Sequence, residues 1–569
     1  MEPRPDDLFL GCDLSTQQLK IVAINSSLQT IHEAACHFDN DLPQYKTTSG
    51  VHVNGDEIAA PVEMWIAALD LVLQRMKDEG FEFGRVRGIS GAGQQHGSVY
   101  WSREAEGLLA ALEKDKTLVE QLSPKAFTHP ISPNWQDHST SRECADHEAA
   151  VGSAEKLAEI TGSKAHERFT GPQILKLRRN RPEVYHETYR ISLVSSFLSS
   201  LFLGSIAPID IADVCGMNLW DISSNTYSQR LVSLVSDNPG SLIQKLGIPE
   251  TDGGRLIDYI SPYFVHRYGF PTDCCVVPFT GDNPATLLSF PLRPLDVIIS
   301  LGTSTTLLVT TPTYITDPGY HMFAHPTTPG LYMAMLCYKN GALARLGVRD
   351  AVSKVKDTWD EFTKIALETP VLGRENADDP AKLGFYFPLS EIIPAAPSGT
   401  WRFLSNGELE EVQPGGKWDV PRDDVRTIIE SQALSMRLRS QPLLAQGAGR
   451  PGKIWVVGGG SSNPAINNII GQVFGAREGV YKLLKGAANA CALGGANKAA
   501  WGVLRKKGET FEDFMAARWE AEGGGRSERV VQGMKDGEGD GIWEKYGEVL
   551  GVFEEAERRV VASKNGQGH

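Results

Sequence analysis

The sequence predicts an α/β protein of two homologous halves, each with its own mixed sheet and helices. Three observations support this prediction. The chain has 569 residues, whereas a single hydrophobic core stops growing at roughly 250 to 300 residues. A strand, a small-polar turn and a second strand occur near residue 10, and the same order recurs near residue 300. Residues 278–294 are rich in Pro and Gly, which is typical of a domain boundary.

Apolar runs predict the strands and the helix of the first half of the chain. Leu8–Leu14 is a short apolar strand, and residues 17–24 resume a strand after a tight polar turn, so the chain opens with a hairpin. Residues 62–76 have the spacing of an amphipathic helix, and residues 86–90 predict a buried strand.

The second half opens in the same way. Val297–Leu301 leads through a Gly/Ser/Thr turn into a second strand at 307–311, and residues 454–457 form a strand before a glycine-rich turn and a helix. Residues 520–541 are rich in glycine and charge and predict a surface loop, while 542–562 have helical periodicity. We expect domains at 8–290 and 291–505, with an extension at 506–569.

Residues 191–209 carry no charge and are long enough to resemble a membrane span. Serines at helical spacing give this segment one polar face opposite an apolar one. The pattern therefore predicts a packed core helix. The serines are Ser192, Ser195, Ser196, Ser199 and Ser200.

Composition narrows the class of protein. With 41% hydrophobic and 22% charged residues, the chain matches soluble globular proteins. The formal charge of -14 repels nucleic acid, and no basic block offsets it, so we expect neither a nucleic-acid nor a membrane partner. The eight cysteines form no CxxC pair and the N-terminus has no leader pattern, which favours a cytoplasmic protein.

Several chemistries are excluded by pattern, because the sequence has no GxxxxGK[ST] loop, no HExxH and no GxSxG. Three Gly/Ser/Thr turns after strands remain. They begin at Asp13, Gly302 and Gly458. Each could present backbone N–H groups to phosphate oxygens, although each alone is more often a plain turn. Together they could grip a small nucleotide with the help of a metal ion.

Seven motifs then follow one another in a specific order: Gly11-Cys-Asp13-x-Ser-Thr, Gln94-Gln95-His96-Gly97, Trp135-Gln-Asp137, Arg168-Phe-Thr-Gly171, Gly281-Asp282-Asn283-Pro284-Ala285, Gly302-Thr-Ser304 and Gly458-Gly-Gly460. This series resembles the FGGY family of carbohydrate kinases, from about residue 8 to residue 501. The resemblance implies the fold of actin, hexokinase and the heat-shock ATPases, in which two ribonuclease-H-like domains surround a central cleft that holds ATP.

A sugar hydroxyl has a pKa far above 7, so phosphoryl transfer to it needs a carboxylate that accepts its proton. Asp282 lies in a turn that opens a helix, whose dipole would keep it ionised. Without the resemblance, a helix-capping aspartate is the simpler interpretation. The resemblance implies that Asp282 is the catalytic base and that Asp282, His96, Arg168 and Asn283 bind the sugar, which it implies is D-xylulose. Trp135 and Asp137 either line the sugar pocket or are structural.

On the nucleotide side, the resemblance implies that MgATP is the phosphoryl donor. Asp13 would hold Mg²⁺, for which oxygen ligands and retained waters are usual. The remaining nucleotide contacts that the resemblance implies are Asp13, Thr16, Gly302, Thr303, Ser304, Trp359, Gly459, Gly460 and Asn463. Trp359 could equally be a buried helix aromatic. Two alternatives stay open: a family member acting on ribulose, glycerol, gluconate or fucose, and a non-catalytic actin-like nucleotide switch.

Overall fold

A computed structural model of the chain describes residues 6–355, 357–376, 378–415, 417–484, 489–520, 526–534 and 541–563. The strands are β1 (Leu8–Leu14), β2 (Gln18–Asn25), β3 (Thr30–His37), β4 (His52–Asn54), β5 (Glu57–Pro61), β6 (Val86–Gly93), β7 (Ser98–Trp101), β8 (Ile131–Pro133), β9 (Arg190–Leu193), β10 (Trp220–Asp221), β11 (Thr226–Tyr227), β12 (Asp258–Tyr259), β13 (Cys275–Val276), β14 (Thr280–Gly281), β15 (Val297–Leu301), β16 (Thr305–Thr311), β17 (His321–Ala324), β18 (Tyr332–Tyr338), β19 (Ala381–Phe387), β20 (Gly399–Ser405), β21 (Leu409–Glu411), β22 (Lys453–Val457), β23 (Gly479–Leu483) and β24 (Ser527–Gln532).

The helices are α1 (Phe38–Asp41), α2 (Val62–Asp78), α3 (Ala105–Ala110), α4 (Leu118–Leu122), α5 (Ser141–Val151), α6 (Ala154–Thr161), α7 (Thr170–Asn180), α8 (Pro182–Glu187), α9 (Val194–Leu203), α10 (Gln229–Val235), α11 (Pro239–Leu246), α12 (Pro262–Tyr268), α13 (Asp282–Leu287), α14 (Gly341–Val352), α15 (Asp360–Glu368), α16 (Arg422–Ser440), α17 (Pro464–Phe474), α18 (Ala490–Leu504), α19 (Phe511–Glu520), α20 (Ile542–Glu548) and α21 (Leu550–Ala562). Short 3₁₀ turns include Asp213–Met217 and Gly459–Ser462.

The chain divides into two compact units. The first contains Met1–Leu292, Thr316–Met333 and Ala488–Gly523, and the second contains Arg293–Ile315, Ala334–Ala487 and Gly524–His569. Neither unit is one continuous stretch of chain. Each is built around a mixed sheet, as the sequence predicts.

The main sheet of the first unit has the order β12-β13-β6-β1-β2-β3, and β14 also pairs with β6. The opening strands β1 and β2 are antiparallel, as predicted for a hairpin. β6 lies parallel to β1, β13 and β14. Because parallel strands end at the same edge, the residues that follow β1, β6 and β14 come together.

Helix α18 packs directly on β1 and β6 because the facing residues are small. A Cβ added to Gly11 would lie 1.8 Å from the carbonyl oxygen of Ala492, and one on Gly495 would lie 2.7 Å from the Cα of Gly91. Any larger side chain at these glycines would force the helix off the sheet. The Ala/Gly-rich sequence of α18 therefore fixes the sheet edge from which the site is built.

Helix α9 confirms a core helix within residues 191–209, but only over Val194–Leu203, because Ser192 lies in β9. All ten of its residues are buried, so the serines do not form a solvent-facing side. Their hydroxyls bond inside the protein, for example from Ser200 to the Ser196 carbonyl oxygen at 2.6 Å. Within the described ranges, no helix has both the length and the apolar character needed to cross a bilayer.

The second unit carries strands in the order β18-β16-β15-β22-β23-β24. As in the first unit, an antiparallel opening pair, β15 and β16, is followed by a parallel neighbour, β22. Helix α16 packs against α17 and β19, and α21 packs against α16 and β19. The two units therefore repeat one arrangement of strands, which confirms the predicted duplication.

The predicted loop at 520–541 is wrong in part. Ser527–Gln532 forms β24, which pairs antiparallel with β23 at the edge of the sheet. Residues 521–525 and 535–540 lie outside the described residues. The predicted terminal helix is present as two helices, α20 and α21.

Candidate active site

The site of the first unit lies where β1, β6 and β14 end together. Leu14 of β1 and Gly281 of β14 both pair with Gly93 of β6. Asp13 is therefore near the end of β1, and Asp282 begins α13 directly after β14. Three separate sequence motifs converge on this edge because the parallel register aligns them.

Asp282 is half-buried, and its carboxylate accepts hydrogen bonds from the neighbouring residue. Oδ1 of Asp282 accepts from the backbone N of Asn283 at 2.8 Å and from its Nδ2 at 2.9 Å. Burial raises the pKa of Asp282 to about 6, although these hydrogen bonds and one from the Gln95 backbone oppose the rise. With a pKa of about 6, the carboxylate of Asp282 is still mostly ionised at neutral pH.

Asp13 and Asp213 complete a cluster of three carboxylates with Asp282. Burial and the neighbouring Asp282 raise the pKa of Asp13 to about 7, against the opposing charge of Lys20. Burial, with contributions from Asp210 and Asp282, raises the pKa of Asp213 to about 8. Asp213 could not be predicted from the sequence, because no motif marks it.

Several buried polar atoms of the carboxylate cluster and of the neighbouring glutamines have no hydrogen-bond partner among the described residues. They are Asp13 Oδ1, Gln94 Nε2, Gln95 Nε2 and Asp213 Oδ1. Buried polar groups are normally hydrogen-bonded. An unpaired set of donors and acceptors at one edge is what a polar ligand with several hydroxyl groups would satisfy.

His96 is buried at the end of β6 with a left-handed backbone, φ 74°. Its ring stacks on Phe169 at a centroid distance of 4.3 Å. Nδ1 lies 2.9 Å from the carbonyl oxygen of Gly216 and must be the donor, so Nε2 is the acceptor nitrogen of the neutral ring. Burial, helped by Arg168, lowers the pKa of His96 to about 3, so the ring is neutral.

Arg168 is half-buried and contacts His321, a histidine that no sequence motif marks. Its Nη2 lies 3.3 Å from Nε2 of His321, and Nδ1 of His321 lies 2.9 Å from Oγ of Ser163. Because the guanidinium can only donate, Nδ1 of His321 carries the proton. Burial and Arg168 hold the pKa of His321 well below its usual value. His321 thus orients Arg168 as a neutral acceptor.

The Trp135 and Asp137 motif has a structural role at Asp137. Its carboxylate accepts from the backbone N of Ile58, from Ser139 and from Nε2 of Gln173, so its oxygens are already bonded. Trp135 is 44% exposed and donates from Nε1 to Oγ1 of Thr16 at 2.8 Å. Asp137 therefore holds the loop, while Trp135 and Thr16 face one another beside Asp13.

The second unit carries a cavity of about 860 Å³. Its walls include most of the nucleotide residues predicted from the sequence. These are Gly302, Thr303, Trp359, Gly459, Gly460 and Asn463. Ser304 belongs to the same exposed turn between β15 and β16 but does not line the cavity. Cavities of this size commonly hold small molecules.

Trp359 and Asn463 stand at the starts of two helices that border this cavity. The guanidinium of Arg349 lies 5.1 Å from the ring centroid of Trp359, so a cation already contacts that ring. Oδ1 of Asn463 caps α17 by accepting from the backbone N of Ala465 at 2.9 Å, and its Nδ2 donates to Oγ1 of Thr363. Asn463 therefore also has a structural role, as the N-cap that sets this wall.

The carboxylate of Asp13 in the first unit could bind a magnesium ion whose other ligands are waters and substrate phosphates. Oδ1 of Asp13 is a buried carboxylate oxygen that accepts no hydrogen bond from the described residues, and the charge of Asp282 is close enough to affect its pKa. In the part of the chain that the structure describes, no group of three or more His, Cys, Asp or Glu could hold a metal by itself. Mg²⁺ suits this arrangement, because it retains waters and binds through one or two carboxylates and substrate phosphates.

Models of known protein families match nearly the whole chain. Residues 8–289 match the N-terminal domain, and residues 297–503 match the C-terminal domain, of the FGGY family of carbohydrate kinases. The chain belongs to this family, and it is a sugar kinase. The family resemblance predicted from the sequence is confirmed.

Curated relatives extend the match. "Probable D-xylulose kinase A" of Aspergillus fumigatus is 51% identical over 570 residues, which cover 97% of this chain and 98% of that protein. "D-xylulose kinase A" of Aspergillus niger is 50% identical over 568 residues, with the same coverage.

Solved structures share the fold. A xylulose kinase from Rhodospirillum rubrum superimposes with a TM-score of 0.74 at 18% identity, covering 97% of this chain and 98% of that one. A Plasmodium falciparum glycerol kinase with ADP gives 0.70 at 15% identity, covering 98% of each chain. At these identities the likeness shows the fold alone, and it confirms the predicted fold class.

Proposed function

We propose that this protein transfers the γ-phosphoryl group of ATP to the 5-hydroxyl of D-xylulose, giving D-xylulose 5-phosphate and ADP. The names of relatives about half identical over almost the whole chain support this choice of sugar. One observation carries the chemistry: Asp282 has a pKa near 6 and stands where three strands end. A base of that pKa is mostly ionised at pH 7 and still accepts a proton readily.

Asp282 acts as the general base. The sugar hydroxyl oxygen forms a bond to the γ-phosphorus, the bond from that phosphorus to the leaving oxygen of ADP breaks, and the hydroxyl proton passes to the carboxylate of Asp282. Asn283 holds the carboxylate by its two hydrogen bonds. Oε1 of Gln95 accepts from Nδ2 of Asn283 at 2.9 Å, so this amide is fixed in orientation.

The sugar is held by neutral and cationic hydrogen-bonding groups. Nε2 of His96 accepts from a sugar hydroxyl and Arg168 donates to another. Both Nδ2 hydrogens of Asn283 are engaged by Asp282 and Gln95, so its Oδ1 accepts from the sugar. Arg168 is steadied by His321, and His96 by Phe169 and Gly216. A site that pairs each hydroxyl rejects analogues lacking one by up to about 10⁴- to 10⁵-fold, because its buried groups would go unpaired.

The nucleotide occupies the cavity of the second unit. The turn Gly302, Thr303 and Ser304 binds the phosphates, and the turn Gly459 and Gly460, with Asn463 and Trp359, binds the adenosine. Glycines allow the nucleotide to approach the backbone. Asp13, with Thr16 beside it, would hold Mg²⁺, and the bound ion supplies neutralisation of the triphosphate charge.

A panel of sugars tests the proposal. Initial rates with MgATP and D-xylulose, D-ribulose, L-ribulose, glycerol, gluconate and L-fuculose are measured by a coupled ADP assay and ranked by kcat/KM. We expect D-xylulose to rank first and ATP turnover without sugar to be at least about 100-fold slower. A preference for another substrate would overturn the choice of sugar. Full turnover without sugar would instead favour a nucleotide switch.

A further inference from the structure

Arg345 is a buried arginine whose charge is not compensated within the described residues. It lies on α14, the helix that follows β18, and is 2% exposed. Nη1 donates to Oε1 of Gln432 at 2.5 Å, but a glutamine is neutral. Nη2 is buried and has no hydrogen-bond partner among the residues that the structure describes.

Two other buried arginines of the second unit have their own protein partners. Arg426 donates to Oε1 of Glu430 at 2.6 Å, and Arg437 donates to the carbonyl oxygens of Val473 and Trp543, both at 2.9 Å. Burial alone lowers the pKa of Arg345 to about 10, with no carboxylate contributing, so it remains a cation at neutral pH. A buried charge without a counter-charge is costly. An anionic ligand in contact with Arg345 would compensate this charge.

The orphaned Nη2 lies at the wall of the cavity already described. A Cβ added to Gly460 would be 3.4 Å from this nitrogen and 3.3 Å from the carbonyl oxygen of Leu301. Arg345 itself lines the cavity together with Gly302 and Gly460. The guanidinium is therefore positioned between the two glycine turns.

We propose that Arg345 binds the diphosphate that ADP and ATP share, through Nη2. A guanidinium donates charge-assisted hydrogen bonds to phosphate oxygens, and Gln432 holds it in place by the opposite nitrogen. This inference rests on the proposed nucleotide site but is independent of the sugar. Arg345 would supply a positive charge to the phosphates, which the backbone N–H groups of the glycine turns do not carry.

Calorimetric binding of ADP and of adenosine, without sugar, tests the role. Arg345→Met removes the charge and keeps an unbranched chain. We expect it to weaken ADP binding about 10- to 100-fold, the usual value of a hydrogen bond to a charged group, and adenosine binding less than threefold. Arg345→Lys keeps the positive charge but loses the planar guanidinium group. Its affinity for ADP should lie between those of wild type and Arg345→Met.

Thermal unfolding separates this role from a structural one. We expect Arg345→Met to leave the unfolding midpoint unchanged or raised, because an uncompensated buried charge is removed. The control Arg426→Met should lower the unfolding midpoint by about 5 °C or more, since Glu430 loses its partner. Its affinity for ADP should stay within threefold of wild type.

Three results would overturn the inference. ADP affinity could be unchanged in Arg345→Met, ADP and adenosine could lose affinity equally, or the wild-type protein could bind ADP no better than adenosine. Because no sugar is present, a wrong choice of sugar does not affect these measurements. A normal Arg345 effect beside inactivity towards D-xylulose would therefore reject only the proposed substrate.

Discussion

Asn283 donates twice to Oδ1 of Asp282, from its backbone N at 2.8 Å and from its Nδ2 at 2.9 Å. Hydrogen bonds to the ionised form of a carboxylate lower its pKa. Burial nevertheless holds the pKa of Asp282 at about 6. The pKa of this base therefore reflects two opposing effects: burial raises it, and the hydrogen bonds from Asn283 lower it.

The pH–rate profile reports this balance. We predict that kcat/KM falls on the acid side with a midpoint near pH 6, because protonated Asp282 cannot accept the hydroxyl proton. In Asn283→Ala the midpoint should move to higher pH, since a hydrogen bond that favours the carboxylate is lost. Thr286→Val changes a hydroxyl of the same helix that donates to the Asp282 backbone oxygen, and should leave the midpoint in place. An unchanged midpoint in Asn283→Ala would contradict the assignment.

His96 should affect the sugar and not the nucleotide. We predict that His96→Asn, which tolerates the left-handed backbone, raises KM for D-xylulose about 10- to 100-fold, because the ring that presents Nε2 and stacks on Phe169 is lost. KM for ATP should change less than threefold. Since the pKa of His96 is about 3, its replacement should leave the shape of the pH–rate profile between pH 6.5 and 8 unchanged. A larger effect on ATP than on sugar would place His96 elsewhere.

A buried ion pair anchors the strand that leads to the base. Nζ of Lys498 lies 2.8 Å from Oδ2 of Asp210, and both side chains are fully buried. Oγ1 of Thr280 donates to Oδ1 of Asp210 at 2.6 Å, two residues before Asp282. The pair therefore joins α18 to the start of the catalytic turn.

Removing one partner of this pair should be strongly destabilising. We predict that Lys498→Met lowers the free energy of unfolding by about 3 to 5 kcal/mol, because it leaves a buried carboxylate unpaired. The double variant Lys498→Met with Asp210→Leu should recover part of that loss. Denaturant unfolding of wild type, the two single variants and the double variant gives the coupling free energy between Lys498 and Asp210. Strict additivity would show that the two residues do not stabilise one another.

Burial explains which elements could be predicted from sequence. Strand Leu8–Leu14 was predicted with its observed bounds because all seven residues are buried and the apolar run is continuous. Strand Ser527–Gln532 was not, because its half-exposed and charged side chains show no alternation and the strand depends on pairing with Gly479–Leu483. An edge strand of this kind is set by its neighbour.

The site divides in the same way. The family resemblance implies roles for Asp282, Asn283 and His96, because each lies in a short motif that the resemblance includes. Asp213 and His321 were not predicted, because they act through contacts distant in sequence: His321 is 153 residues from Arg168. Arg345 was missed for a similar reason, since only the folded structure shows that its nitrogen is buried without a partner.

The most direct test is the turnover and sugar affinity of Asp282→Asn. The variant keeps the size and an acceptor oxygen of the side chain but cannot take a proton. We predict the wild-type unfolding midpoint, D-xylulose affinity within about threefold of wild type, and kcat lower by about 10²- to 10⁴-fold in the coupled ADP assay. Turnover at the wild-type rate by the folded, sugar-binding variant would contradict the claim that Asp282 is the base.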